Sequence, residues 1–113
     1  MTEHDRPKIY RVSISARARA KLLEFAAKTK SRGDGEQFLS AAANFLRRLE
    51  VYPQFGDPLV DLWKEPGHIR IGIIPPLSMR YAVLENSRLV FIASLPVLLP
   101  MASSSKDADD VHE

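Results

Sequence analysis

The sequence predicts an α+β fold ordered β-α-α-β-β-β, with a two-helix hairpin packed on one face of an antiparallel-dominated sheet. Three observations predict it. Residues 9–14 (Ile-Tyr-Arg-Val-Ser-Ile) alternate, so that Tyr10, Val12 and Ile14 share one face and Ile9, Arg11 and Ser13 the other. Two stretches between residues 16 and 49 then carry apolar residues at helical spacing, parted by Ser31-Arg32-Gly33-Asp34-Gly35. From residue 60 to residue 100 short apolar runs are punctuated by Pro, Gly and Asn turn residues.

Each element has a local cause. Ser15 offers an N-cap to the Ala-, Lys- and Arg-rich helix of residues 16–30, whose stripe is Leu22, Leu23, Phe25, Ala26 and Ala27. Asp34 is placed to cap the second helix, with Gln37 completing a capping-box pattern. Phe38, Ala42, Phe45 and Leu49, joined by Leu39 and Leu46, follow helical spacing until Pro53 and Gly56. A short connection between two helices predicts a hairpin laid on a sheet.

Beyond it, residues 60–64 are a short strand candidate and Glu65-Pro66-Gly67 a turn. Ile69, Ile71 and Ile73 alternate with Arg70, Gly72 and Ile74 until Pro75-Pro76, which cannot donate to a sheet ladder. Residues 79–84 and 88–95 are the last two strands of a meander, with Glu85-Asn86-Ser87 between them. The first strand joins at an edge or in the centre. Pro96 and Pro100 are expected to stop further pairing. Helices on one face leave the other free, and Arg70 and Arg80 are expected on that free face.

The chain's 113 residues suit one domain, residues 8–100, between a short tail (1–7) and an acidic, disordered one (101–113). Zero cysteines exclude a disulfide scaffold and thiol chemistry. No apolar run approaches the roughly 20 residues of a membrane helix, and the first residues lack an apolar signal segment, so a cytoplasmic protein without a membrane partner is the default. No metal or cofactor is expected: His4 and His112 lie in the tails, away from any ligand spacing. The formal net charge of +2 hides an asymmetry, because residues 6–32 hold nine bases and one acid while residues 101–113 hold one base and four acids. A basic first third, with Arg11, Arg17 and Lys21 among its bases, suits an acidic protein or a nucleic acid.

Four stretches, in this order and spacing, resemble the RelE/ParE toxin superfamily of type II toxin–antitoxin systems, which includes plasmid-stabilisation proteins. They are residues 10–15 leading into the first helix, residues 49–59 (Leu-Glu-Val-Tyr-Pro-Gln-Phe-Gly-Asp-Pro-Leu), Gly67-His68-Ile69-Arg70-Ile71, and Met79-Arg80-Tyr81-Ala82-Val83 followed by Leu89-Val90-Phe91-Ile92. The resemblance covers nearly all of residues 8–99. It implies a small basic bacterial toxin, neutralised by a cognate antitoxin that wraps the domain. It also implies one of two activities: ribosome-dependent cleavage of mRNA, as in RelE-like members, or non-nuclease poisoning of DNA gyrase, as in ParE-like members.

RNA cleavage of the first kind needs a base for the ribose 2′-hydroxyl, cations for the pentacoordinate phosphate and an acid for the leaving oxygen. By the resemblance, Lys64, Arg70 and Arg80 are the catalytic candidates, and His68 titrates in a useful range. Residues 93–100 (Ala-Ser-Leu-Pro-Val-Leu-Leu-Pro) carry neither the arginine nor the terminal tyrosine or histidine of the nuclease members. The sequence therefore ranks a ParE-type binder first, the endoribonuclease second, and a repurposed non-toxic member third.

Bland readings stand beside these. Arginines on exposed strands are often merely solvated or paired, here with Asp61 or Glu85. Lys64 reads as a surface residue lying on Trp63. His68 reads as a surface histidine, and Tyr81 and Trp63 as core or edge aromatics. Residues 95–101 are too apolar to leave in water. Either they fold back over the sheet edge to complete the core, or Leu95, Val97 and Leu98 dock an antitoxin or a second copy in a homodimer.

Overall fold

A computed structural model describes residues 9–100. The expected tails, 1–7 and 101–113, lie outside the described residues, as do His4 and His112. The elements are β1 (Arg11–Ile14), α1 (Ala16–Ser31), α2 (Gly35–Val51), a short 3-10 turn (Pro53–Phe55), β2 (Asp57–Asp61), β3 (Gly67–Ile74), β4 (Leu77–Leu84), β5 (Leu89–Ile92) and β6 (Val97–Leu98). The architecture is α+β, as expected, but the sheet has six strands. Its order is β1-β5-β4-β3-β2, with β6 added to β4. β1 joins at an edge and runs parallel to β5; every other pairing is antiparallel.

Beyond strand starts that move by two residues in β3 and β4, the expected elements shift in three places. The strand at 60–64 begins earlier, at Asp57, because the chain turns into the sheet as soon as it leaves Gly56, and an edge strand tolerates Pro58. Pro96 does not stop pairing: Val97 and Leu98 pair with Ser78 and Leu77, and the Leu99 amide donates to the Pro76 carbonyl at 2.6 Å. A proline before a two-residue strand removes no bond from it. The last long strand ends at Ile92, and residues 93–95 bridge to β6.

α1 starts as expected, with the Ser15 hydroxyl accepting from the Ala18 amide at 3.1 Å. Its buried side is Ala18, Phe25 and Thr29 with Leu22 and Ala26 partly buried, whereas Leu23 and Ala27 face outward. The Thr29 hydroxyl is satisfied by the Phe25 carbonyl at 2.8 Å. Asp34 makes no capping bond to α2: its φ of −105° and ψ of 13° are not the extended conformation an N-cap needs, and its carboxylate stands 3.9 Å from the Arg32 guanidinium instead. Along α2, Phe38, Ala41, Phe45 and Leu49 are buried, and Leu39 and Leu46 are exposed.

The core lies between these helix faces and Leu77, Met79, Tyr81 and Val83 of β4 with Val90 and Ile92 of β5. Tyr10, Val12 and Ile14 pack on it as predicted. Phe25 meets Phe38 edge-on at 6.3 Å. At the other end, Phe45, Phe55 and Tyr81 form a three-ring cluster, with Phe55 and Tyr81 stacked at 6.0 Å and Phe45 edge-on to both.

Tyr81 also ties down the bend after α2. Its hydroxyl donates to the Pro53 carbonyl at 2.6 Å and accepts from the Gly56 amide at 3.1 Å. Glycine is required there by space: a Cβ on Gly56 would stand 2.5 Å from the Tyr81 hydroxyl and 2.6 Å from the Ile71 carbonyl. Burial above all pushes the Tyr81 phenol up from 10.0 to about 12, although the Gly56 hydrogen bond and Arg70 act the other way.

That shift sets a pH dependence. Below pH 10 both folded and unfolded states keep the proton, and Tyr81 contributes fully to stability. As pH rises from 10 towards 12 the unfolded state loses its proton first, so the contribution falls. Thermal melts of the native chain and a Tyr81→Phe variant should therefore differ by a constant margin up to near pH 10. The margin should then shrink in more alkaline buffer.

Candidate binding face

The register of β3 against β4 decides which candidate residues share a face. Arg70 stands opposite Tyr81 and His68 opposite Val83, so both point to the helix side. Arg80 stands opposite Ile71, on the open side. The expectation that Arg70 and Arg80 share the free face is thus corrected: neighbouring strands align them one residue out of step, and one residue changes the face.

Arg70 is committed to the fold. Its Nη1 donates to the Gln54 carbonyl at 3.0 Å and to the Gly56 carbonyl, the same bend that Tyr81 holds. It is paired with neither Asp61 nor Glu85 among the described residues. A chain of polar contacts continues from Gln54, whose amide donates to the Tyr10 hydroxyl at 3.2 Å; that hydroxyl donates to Glu85 at 3.1 Å. His68 Nδ1 lies 3.7 Å from the other Glu85 oxygen, and its Nε2 is buried without a partner. His68 is therefore not the surface histidine expected, its side chain being only 16% exposed.

Lys64 falls outside both groups. It sits in the β2–β3 connection with its ammonium 5.6 Å from the centre of the Trp63 ring, as the bland reading expects. Trp63 itself is neither core nor edge aromatic but 89% exposed in that connection. The three catalytic candidates are thus distributed over the helix side, the open side and a hairpin tip.

The open face is built around Arg80. Its register neighbours there are Ile69, Ile71 and Ile73 of β3, Ser78 and Ala82 of β4, and Phe91 of β5. Ala93 and Ser94 border one shallow depression beside Arg80, and Leu95 and Val97 border a second of about 230 Å³. That is below the roughly 300–1,000 Å³ of small-molecule sites, so the face suits a surface contact. Arg80 is exposed and in no ion pair among the described residues.

The other binding candidates divide. Leu95 and Val97 are exposed beside Arg80, but Leu98 turns inward against the core, opposite Leu77. The segment at 95–100 thus folds back on the sheet and still leaves two apolar side chains outside. Arg11 projects from β1 on the Leu89 and Phe91 side, at the far end of the open face. Arg17 is exposed on α1; Lys21 is held by Glu24 at 3.4 Å and lies 5.5 Å from the Phe25 ring centre.

Phe91 and Ser94 are among the residues of this face that sequence reasoning did not single out. Residues 89–92 form an unbroken apolar run, in which period-2 alternation is invisible. The signal sits in the neighbouring strand, where small or polar Ser78, Arg80 and Ala82 alternate with Met79, Tyr81 and Val83. Among the described residues no group of three potential metal-ligating side chains comes together, and no helix is long and apolar enough to cross a membrane. Compared with known proteins, the chain matches no family model and no curated sequence.

Two substitutions separate the arginines. Arg70→Met should lower folding stability by about 2 kcal/mol, because it leaves the part-buried Gln54 and Gly56 carbonyls without this donor. Arg80→Ala should stay within about 0.5 kcal/mol of the native chain, as a surface change does. Urea denaturation of the two variants measures both.

Proposed function

We propose that this chain is a toxin of the RelE/ParE type that acts by binding a protein target, with a replication enzyme such as DNA gyrase as the first candidate. A cognate antitoxin holds it in check. The observation that carries this reading is the dispersal of the catalytic candidates. Cleavage of a phosphodiester needs cations and proton-transfer groups converging within about 3 Å of the reacting atoms. Here Arg80 alone of the three lies on the open face, while Arg70 holds the bend after α2 and Lys64 lies on Trp63 at the hairpin tip.

Among its register neighbours on β3, β4 and β5, Arg80 has no carboxylate, histidine or tyrosine; Asp57 of β2 lies beyond Ile71. Tyr81 and His68 face the helix side, and Tyr81 is engaged both as donor and as acceptor. What surrounds Arg80 is mainly apolar: Ile69, Ile71, Phe91, Leu95 and Val97, with Ser78 and Ser94 among them. An arginine ringed by aliphatic and aromatic side chains is the composition of a protein-binding hot spot. The basic surface of α1 adds attraction for an acidic partner and speeds encounter.

The reading is tested by inducing the full chain in bacteria and assaying the purified protein in two reactions. Growth arrest, inhibited gyrase supercoiling and intact mRNA on translating ribosomes are expected, with inhibition weakened at least about tenfold by Arg80→Ala, as for a hot-spot arginine. Codon-specific mRNA cuts abolished by Arg80→Ala would establish the endoribonuclease instead. Normal growth on induction would point to a repurposed, non-toxic member.

A further inference from the structure

The β2–β3 hairpin has a surface unlike the rest of the domain. β2 is a terminal strand of the sheet, paired only with β3, and all five of its residues are exposed. Its outer edge offers main-chain donors and acceptors to an incoming strand. Leu59 and Val60 are about half exposed, and Trp63 follows in the connection. Three acids, Asp57, Asp61 and Glu65, occur in this short stretch against one base, Lys64. Among the described residues none of the three is in an ion pair, since Lys64 is turned onto the Trp63 ring.

Charged residues and a proline on an edge strand are a common protection against aggregation, and Asp57, Pro58 and Asp61 fit that role. Protection alone does not account for Trp63. An indole left in water beside two half-exposed aliphatic residues adds to the hazard that the aspartates guard against. The two features agree if the edge has a partner and the acids select it.

We propose that the outer edge of β2 accepts an extended basic segment of a partner protein as an added strand, with Trp63 as its apolar contact. The charges choose the occupant. A second copy would bring the same three acids against this edge, and like charges across paired strands are destabilising; the register shift at Leu59 sets Asp57 beside Ile71 on the open face and Asp61 beside His68 on the other. A segment with a lysine or arginine at each end of an apolar centre replaces that repulsion with attraction. Main-chain bonds then supply affinity, and the aspartates supply selection. The partner is the electrostatic opposite of one attracted by α1, so the inference goes beyond the toxin reading and does not depend on it.

Trp63 is the chain's only tryptophan, which makes it the reporter. The full chain is titrated with a blocked synthetic peptide, Lys-Val-Thr-Val-Lys, while tryptophan emission is followed. A saturable blue shift is expected. Three changes should each weaken binding about tenfold or more, or roughly 1.4 kcal/mol. These are glutamate in place of both peptide lysines, N-methylation of alternate peptide amides, and the Asp57→Lys, Asp61→Lys double variant. Circular dichroism confirms that the double variant is folded. The proposal is overturned by an absent shift, or by equal binding of the N-methylated peptide, which would mean charge attraction without a strand. It is equally overturned by equal binding of the glutamate peptide, or by a blue shift of the protein alone on concentration, which would make a second copy the occupant.

Discussion

The bend between α2 and β2 is the constraint on which the rest depends. Two side chains from adjacent strands hold it. The Tyr81 hydroxyl takes the Pro53 carbonyl and the Gly56 amide, and the Arg70 guanidinium takes the Gln54 and Gly56 carbonyls. A 3-10 turn that leaves a helix has carbonyls and amides without helical partners, and burying them unpaired would cost about 1–3 kcal/mol each. With those groups satisfied, the chain enters β2 directly and the helix pair stays on one side of the sheet. The aromatic cluster of Phe45, Phe55 and Tyr81 fills the space beneath.

The functional geometry follows from that arrangement. Because Arg70 is drawn to the helix side, Arg80 is left at the centre of a largely apolar open face, with Arg11 and Asp57 towards its two edges. The basic surface of α1 and the acidic β2–β3 hairpin are separate elements of opposite charge. In the readings proposed above, the domain offers these as two surfaces for partners of opposite charge. Its electrostatics then bear on partner choice and encounter rate more than on folding.

Much of this was legible in the residues. The helix stripe of Phe38, Phe45 and Leu49, the alternation of Tyr10, Val12 and Ile14, and the Ser15 cap all follow from period and side-chain chemistry, and the structure has them. What was not legible depends on register, which a single sequence does not carry. The faces of Arg70 and Arg80 hinge on a one-residue offset between strands joined by the two-residue Pro75-Pro76 turn. Asp34 precedes α2 in sequence as a cap would, but its backbone conformation keeps its carboxylate away from the helix amides. The pairing of Val97 and Leu98 with β4 is a long-range contact that the flanking prolines obscure. The resemblance to RelE/ParE toxins supplied candidate residues, and their placement on different faces is what favours binding over catalysis.

The central claim is that Arg70 and Tyr81 act together on one bend, which makes Arg70 a residue of the fold. A double-mutant cycle on folding stability tests it most directly, using Arg70→Met, Tyr81→Phe and the pair together in urea denaturation. Groups that bond the two sides of Gly56 should be coupled by about 0.5–3 kcal/mol, so that the double variant departs from the sum of the singles. Additive effects, or an Arg70→Met variant as stable as the native chain, would contradict the account and return Arg70 to the list of functional residues.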